Sequence, residues 1–276
     1  MTSAAPQRVM PIEEVLTLDP IDRDIFRGPV VPSPIQRTFG GQVAGQALMA
    51  AVMTVDPSRS VHSLHGYFLR PGQPQKPTVY TVSRIRDGGS FSTREVHAIQ
   101  DGETIFAMTA SFHVYEEGLE HQEPIPPTPG PDESVTPKSW AYFSNLWSSW
   151  DVRRVHRDAV PLDGAVARQR VWIRYSGAMP DVPALHVCGL AYLSDMTLLM
   201  SARAPHRHIP VKVASLDHAM WIMRPFRVDE WLLYDQVSPS AQGGRALTQG
   251  KLFNQAGSLV ACVAQEGGMK LVRDGS

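Results

Sequence analysis

From Gly40 to Val52 the chain reads Gly-Gly-Gln-Val-Ala-Gly-Gln-Ala-Leu-Met-Ala-Ala-Val, small and apolar on nearly every helical face. Residues 189–200 have the same character. A surface helix shows one apolar stripe, so both stretches are predicted to be buried helices. Runs rich in Val, Ile, Thr and aromatic residues follow each of them: 78–85, 93–99 and 104–114 after the first, and 213–223, 231–237, 246–253 and 259–265 after the second. The turns between them, at Asp87-Gly88-Gly89, Asp101-Gly102, Gln242-Gly243-Gly244 and Ala256-Gly257, predict antiparallel hairpins. The unit is one buried helix and an antiparallel meander, and it occurs twice.

The two copies align on arginine-proline pairs. Val61-His-Ser-Leu-His-Gly-Tyr-Phe-Leu-Arg70-Pro71 corresponds to Ser215-Leu-Asp-His-Ala-Met-Trp-Ile-Met-Arg224-Pro225 at an offset of 154 residues. The same offset sets Tyr67 on Trp221, Tyr80 on Tyr234 and Gly89 on Gly243. Residues 116–140 lie between the copies and carry six prolines, a composition that excludes a central strand or a helix interior and predicts a stiff, extended surface linker. Residues 139–150, with Trp140, Tyr142, Phe143, Leu146, Trp147 and Trp150, are expected to form a short amphipathic helix on the scaffold. The expected division is an N-terminal repeat over 15–116, the linker and short helix over 117–168, and a C-terminal repeat over 169–273.

The 276 residues are enough for two such units, each with its own core. A net charge of −1 argues against a binder of phosphate backbones, which need an excess of Lys and Arg. Cys188 and Cys262 stand in apolar runs with no metal spacing, so neither a disulfide framework nor a metal centre is expected. The start of the chain lacks the pattern of a secretory signal, no 18-residue apolar run occurs, and the expected compartment is the cytosol, with no membrane contact. No G-x-S-x-G elbow, P-loop, H-E-x-x-H or dinucleotide fingerprint is present.

Three residues remain as candidates for chemistry. Asp195 has Tyr192, Ala191, Leu198 and Leu199 at helical spacing, an apolar wall where an unpaired carboxylate is costly. It is either a functional carboxylate or one that reaches solvent beside Ser194. Gln265 is read as closing a strand just before Glu266-Gly267-Gly268, where a side chain can be aimed into a cleft or simply into water. Ser215 begins the strand that carries Asp217 and His218. At three positions from Ser215, His218 is expected on the opposite face of that strand, and His62 and His65 are expected to face opposite sides for the same reason.

Several runs together resemble the acyl-CoA thioesterase II family: Arg37-Thr-Phe-Gly-Gly-Gln-Val-Ala-Gly-Gln-Ala-Leu48, Arg86-Asp-Gly-Gly-Ser-Phe-Ser92, Ala191-Tyr-Leu-Ser-Asp195, Glu230-Trp-Leu-Leu-Tyr234, Val263-Ala-Gln-Glu-Gly267, and the two arginine-proline segments. The resemblance spans residues 21–271. It implies an α+β double hotdog, two antiparallel sheets each wrapped around a long buried helix. It also implies hydrolysis of acyl-CoA to free acid and CoA by a water held among Asp195, Ser215 and Gln265, with no cofactor. Many family sequences have threonine at the position of Ser215.

At the repeat offset Asp195 falls on Gly41 and Ser215 on Val61, while Gln265 falls on Ala110 one residue further along. None of the three has a polar counterpart, so one site per chain is expected. Asp195 is expected to act as general base. Arg70, Arg84, Arg86 and Arg94 are the cationic candidates for the CoA phosphates, with Arg70 and Arg86 preferred. Met196, Leu199, Met220 and Met223 are expected to line an acyl tunnel. The resemblance further implies a homodimer or homotetramer. Two other functions fit a hotdog scaffold, a non-catalytic acyl-CoA binder and an enoyl-CoA hydratase; the second wants a His/Asp pair at the helix start, which Gly189-Leu190 does not offer.

Overall fold

The computed structural model describes residues 10–33, 35–136, 147–156, 159, 167–206 and 208–272. Among the described residues, three α-helices, α1 (Ile12–Leu16), α2 (Gly40–Val52) and α3 (Pro183–Ser194), pack inside one sheet of 13 strands. The strands are β1 (Asp19–Asp22), β2 (Ile25–Gly28), β3 (Arg59–Phe68), β4 (Thr78–Asp87), β5 (Phe91–Gln100), β6 (Glu103–Val114), β7 (Trp150–Arg154), β8 (Ala167–Tyr175), β9 (Val211–Ser215), β10 (Asp217–Ile222), β11 (Leu232–Gln242), β12 (Arg245–Asn254) and β13 (Leu259–Leu271). Their order is β1-β2-β4-β5-β6-β3-β10-β13-β12-β11-β8-β7, with β9 added to β13.

That order contains the repeat. The block β2-β4-β5-β6-β3 is matched by β8-β11-β12-β13-β10, and the two blocks join where β3 pairs with β10, Gly66 opposite His218 and Leu64 opposite Met220. The hairpin turns follow the predicted chemistry: Asp101 and Gly102, and Gly243 and Gly244, all have positive φ, the conformation a tight two-residue hairpin requires. This is a double hotdog whose two sheets are continuous.

Helix α2 forms as expected and buries Ala44, Ala47, Leu48, Ala50 and Ala51 completely. Its glycines set how closely α3 approaches. A Cβ on Gly41 would lie 2.2 Å from the Tyr192 carbonyl oxygen, and one on Gly45 would lie 3.0 Å from that of Cys188. The second helical stretch comes in two pieces. Helix α3 begins at Pro183, whose fixed φ suits a first turn, and packs along α2 and α1. A 3-10 segment, Leu198–His206, lies against β8, β11, β12 and β13. The continuous helix expected over 189–200 is therefore broken at Asp195, which caps α3.

Two strand boundaries also differ from the pattern. The run 213–223 is two strands because it carries one extra residue against β13: Ser215 stands opposite Gly267 and Ala219 opposite Ala264, while Leu216 N–H donates to Glu266 O and Leu216 O accepts from Phe68 N–H. Strand β13 does not end at Gln265 but runs on to Leu271, pairing with both β9 and β12. Gly267 makes room inside that strand for Leu199, whose Cδ1 would lie 2.4 Å from a Cβ there.

The described part of the linker forms no helix or strand up to Gly130, makes a 3-10 turn over Pro131–Glu133, and straps the outer face of the second half. Trp172 Nε1 donates to Pro129 O at 2.8 Å, Arg170 to Pro127 O at 2.8 Å, and Gln122 to Gly257 O at 2.9 Å. Side chains thus satisfy carbonyls that a proline-rich segment cannot place in a ladder. Beneath it Ile125 packs on a separate small core of Val155, Trp172, Trp231, Leu233, Phe253 and Leu259. Of the aromatic stretch 139–150, residues 139–146 lie outside the described residues. Trp150 opens β7, a strand that pairs with β8 and that the sequence pattern did not reveal.

Candidate active site

Three elements from distant parts of the second half converge at the joint. Helix α3 ends one residue before Asp195, β9 ends at Ser215, and β13 carries Gln265 on its inner face. Gln265 Nε2 donates to Asp195 Oδ1 and to Ser215 Oγ, both at 2.6 Å, and Ser215 Oγ donates to the same Asp195 Oδ1 at 3.0 Å. The serine oxygen therefore accepts from the amide and gives its proton toward the carboxylate. The amide has spent both of its N–H groups.

The first half contributes the start of α2. The first N–H groups of a helix have no carbonyl one turn back, and they form its positive end. Gly41 N–H donates to the Asp195 carboxylate. Gly40 is glycine for a steric reason: a Cβ there would lie 2.6 Å from Asp195 Oδ2 and 3.0 Å from the Phe68 ring. Phe39, ahead of the helix, stacks edge-on against Tyr192 of α3 and Trp147, fixing how the helix enters.

Burial raises the pKa of Asp195 above the ordinary carboxylate range, against the opposing pull of His218, then of the hydrogen bonds from Gln265, Ser215 and Gly41. Those donors favour the ionised form, the form in which the carboxylate can accept a proton.

Two cavities meet at this centre, of about 320 Å³ and 220 Å³, and both are lined by Thr38, Gly40, Val213, Ala214 and Ser215. The larger continues past Phe68, Gly72 and Phe106 to Arg37 and Arg70. The smaller continues past Asp195 to Phe39, Trp147, Met196, Thr197, Leu199 and Met200 and is mostly apolar beyond the carboxylate.

The other residues singled out from sequence divide accordingly. Met196 and Leu199 line the smaller cavity and Arg70 the larger, where Arg70 also bonds Thr104 O at 2.9 Å and pairs with Glu103. Met220 is not at either cavity: it points inward from β10 and is fully buried in the core. Met223 lies just past the end of β10 and is 47% exposed, so it lines no tunnel. Arg86 stands at the far end of β4, where its carbonyl accepts from Arg94. Arg84 forms a two-pronged pair with Asp24, and Arg94 is fully buried, bonded to Thr54 and Asp87. Arg37 is a cation at the larger cavity that charge clustering did not single out.

His218 is the clearest correction. The break at Leu216 resets the alternation, so His218 does not point away from Ser215's side of the sheet but inward, completely buried, with Nε2 2.8 Å from Ser194 Oγ. A bulge between Val61 and Ser63 likewise puts His62 on the same outer face as His65: His62 bonds Ser111 Oγ at 2.9 Å, and His65 pairs with Asp217 at 3.1 Å. Alternation read across an unseen bulge gives the wrong face.

Residues 143–268 match the family model described as acyl-CoA thioesterase, and residues 30–113 match the acyl-CoA thioesterase N-terminal domain. The chain is 39% identical to mouse acyl-coenzyme A thioesterase 8, over 94% of this chain and 89% of that one. It is 38% identical to acyl-CoA thioesterase 2 of Haemophilus influenzae, over 92% and 94% of the two chains. The crystal structure of the acyl-CoA thioesterase II TesB2 from Mycobacterium marinum superposes with a TM-score of 0.87 at 54% identity, covering 96% of this chain and all of that one. With both halves matched and the similarity extending over nearly the full length of each relative, the protein belongs to the acyl-CoA thioesterase II family.

Proposed function

We propose that the chain hydrolyses acyl-CoA thioesters to free acid and CoA at the Asp195, Ser215 and Gln265 centre. The observation that carries this reading is the placement of a hydrogen-bonded carboxylate, raised in pKa, at the start of α2 where two cavities meet. Water entering there donates one proton to the Asp195 carboxylate and the other to the free lone pair of Ser215 Oγ, leaving its own lone pair toward the thioester carbon. As the C–O bond forms, the carbonyl oxygen gains charge and is met by the Gly40 N–H at the positive end of α2. Collapse breaks the C–S bond, and the proton held by Asp195 passes to the leaving CoA sulfur.

Ser215 is assigned to positioning and not to covalent attack. Its oxygen already accepts a 2.6 Å bond from Gln265, and its own proton points at a carboxylate, with no imidazole in contact. The larger cavity, with Arg37 and Arg70 at its far side, takes the CoA arm. The smaller, mostly apolar cavity with Met196 and Leu199 takes the acyl chain.

A thiol-release assay on acyl-CoAs of graded chain length tests the reading: release of free CoA thiol is expected. Absence of thiol with every substrate would indicate a binder, and loss of enoyl absorbance without thiol would indicate hydration. We also propose that the protein acts in the cytosol as a homodimer or homotetramer, carried by the family resemblance and tested by cell fractionation and light scattering.

A further inference from the structure

His218 has no role in the steps above, yet its surroundings bind it to two of the residues that do. Strand β10 pairs with β13 through Ala219 opposite Ala264 and Met220 opposite Val263, which makes His218 the cross-strand neighbour of Gln265 on the inner face. Both side chains are completely buried. On its other side the ring meets Ser194 Oγ at 2.8 Å, and Ser194 directly precedes Asp195. The Ser194 carbonyl is held in turn by Tyr234 OH at 3.1 Å.

Hydrogen-bond bookkeeping decides which ring nitrogen carries the proton. Gln265 Oε1 and His218 Nδ1 are both buried without a partner. If Ser194 O–H donates to Ala191 O, at 3.1 Å, the ring must donate from Nε2 and present a bare Nδ1 lone pair. Both acceptors are then left without a donor, although the His218 and Gln265 side chains are close enough to interact directly. With the proton on Nδ1 the ring donates to Gln265 Oε1, Nε2 accepts from Ser194 O–H, and the long contact to Ala191 is given up. One exchange satisfies both orphaned atoms, as buried polar groups require.

We infer that His218 is a positioning residue: its Nδ1–H fixes the Gln265 amide so that the N–H₂ end faces Asp195 and Ser215, while Nε2 anchors Ser194 and so the end of α3. Without that donor nothing at Oε1 distinguishes the working amide orientation from its flip, which would turn a carbonyl oxygen onto the Asp195 carboxylate. Burial lowers the His218 pKa, so the ring is neutral at working pH. The titratable groups acting on His218 are Asp195, Asp217 and, across β3, His65; those coupled to Asp195 are His218 and Tyr234 of β11. The repeat supports the assignment, because at the first-half positions of His218 and Gln265 stand Leu64 and Ala110, an apolar pair.

The inference rests on the proposed hydrolytic centre, and the test separates the two. His218→Leu is expected to lower kcat by about 10²-fold with KM within about threefold of wild type, since it misplaces catalytic groups and leaves both cavities intact. It should also move the acid limb of the kcat–pH profile upward, because an amide no longer fixed by the ring is a poorer donor to the Asp195 carboxylate, whose ionised form that donor favours. His218→Asn, whose amide N–H₂ falls near the place of Nδ1, should recover part of kcat and can be read even where the leucine variant fails to fold. A ¹⁵N spectrum of the wild-type enzyme should show the proton on Nδ1. Loss of activity with an unmoved acid limb and no recovery in His218→Asn, or a proton on Nε2, would overturn the inference. So would kcat of His218→Leu within about threefold of wild type. Full activity in Asp195→Asn would instead overturn the hydrolytic centre itself.

Discussion

On the inner face of the first half, Leu64 of β3 stands opposite Ala110 of β6; at the same place in the second half, His218 of β10 neighbours Gln265 of β13. The backbones follow the same course and the side chains differ in kind. Val61 is buried where Ser215 opens onto the cavities, and Gly41 lends a backbone N–H where Asp195 presents a carboxylate. One copy of the unit thus brings an apolar pair and a helix end to the joint, and the other brings the polar groups of the candidate site. The two copies meet so that the start of the helix in one is aimed at the carboxylate of the other.

Variants at the joint break this comparison most severely. Gly40→Ala drives a methyl to within 2.6 Å of Asp195 Oδ2, and steady-state kinetics should show kcat falling by more than about 10²-fold. Next in size, exchanging the roles of the paired positions sharpens the contrast between halves. Leu64→Ala leaves a cavity in the first-half core and should lower unfolding free energy by about 2–5 kcal/mol in a denaturant titration, with kcat per folded enzyme unchanged. A matching loss of kcat would mean that the first half does more than hold the helix.

The hydroxyl is the smaller effect. Removing a hydrogen bond to a charged group is worth about 1.5–3 kcal/mol, so Ser215→Ala should lower kcat by about 10–10²-fold, while Ser215→Thr, which keeps the hydroxyl and restricts its rotamer, should stay near wild type.

Asp195 also gives a pH test of opposite sign for activity and stability. Activity needs the carboxylate, so kcat should fall with decreasing pH through a value above the ordinary carboxylate range. Stability runs the other way, because a pKa raised on folding makes the native state the better proton binder and costs stability once the pH exceeds the raised value. At a pH above the raised value, Asp195→Asn should therefore melt at or above the wild-type temperature in a thermal scan.

Helix α2 was legible because an all-round apolar run beginning with two glycines has few other fates, and the strands because β-branched runs stood between glycine turns. The apolar surroundings of Asp195 were legible from its helical neighbours, though not its place at a helix end. What local patterns could not show were departures from regularity. One extra residue between Ser215 and Ala219, set by pairing with β13 far away in sequence, interrupts the alternation and so hid the inward turn of His218. Gly267 reads as a strand end but is a seat for Leu199. Arg94 reads as a surface cation but is buried on Thr54 and Asp87, because charge alone says nothing of which face a residue occupies.

The most direct test of the whole account is the turnover of Asp195→Asn measured beside its affinity for a non-hydrolysable acyl-CoA analogue. If Asp195 is the base, kcat falls by at least about 10²-fold while the analogue binds as it does to wild type. Near wild-type kcat in a correctly folded variant would contradict it.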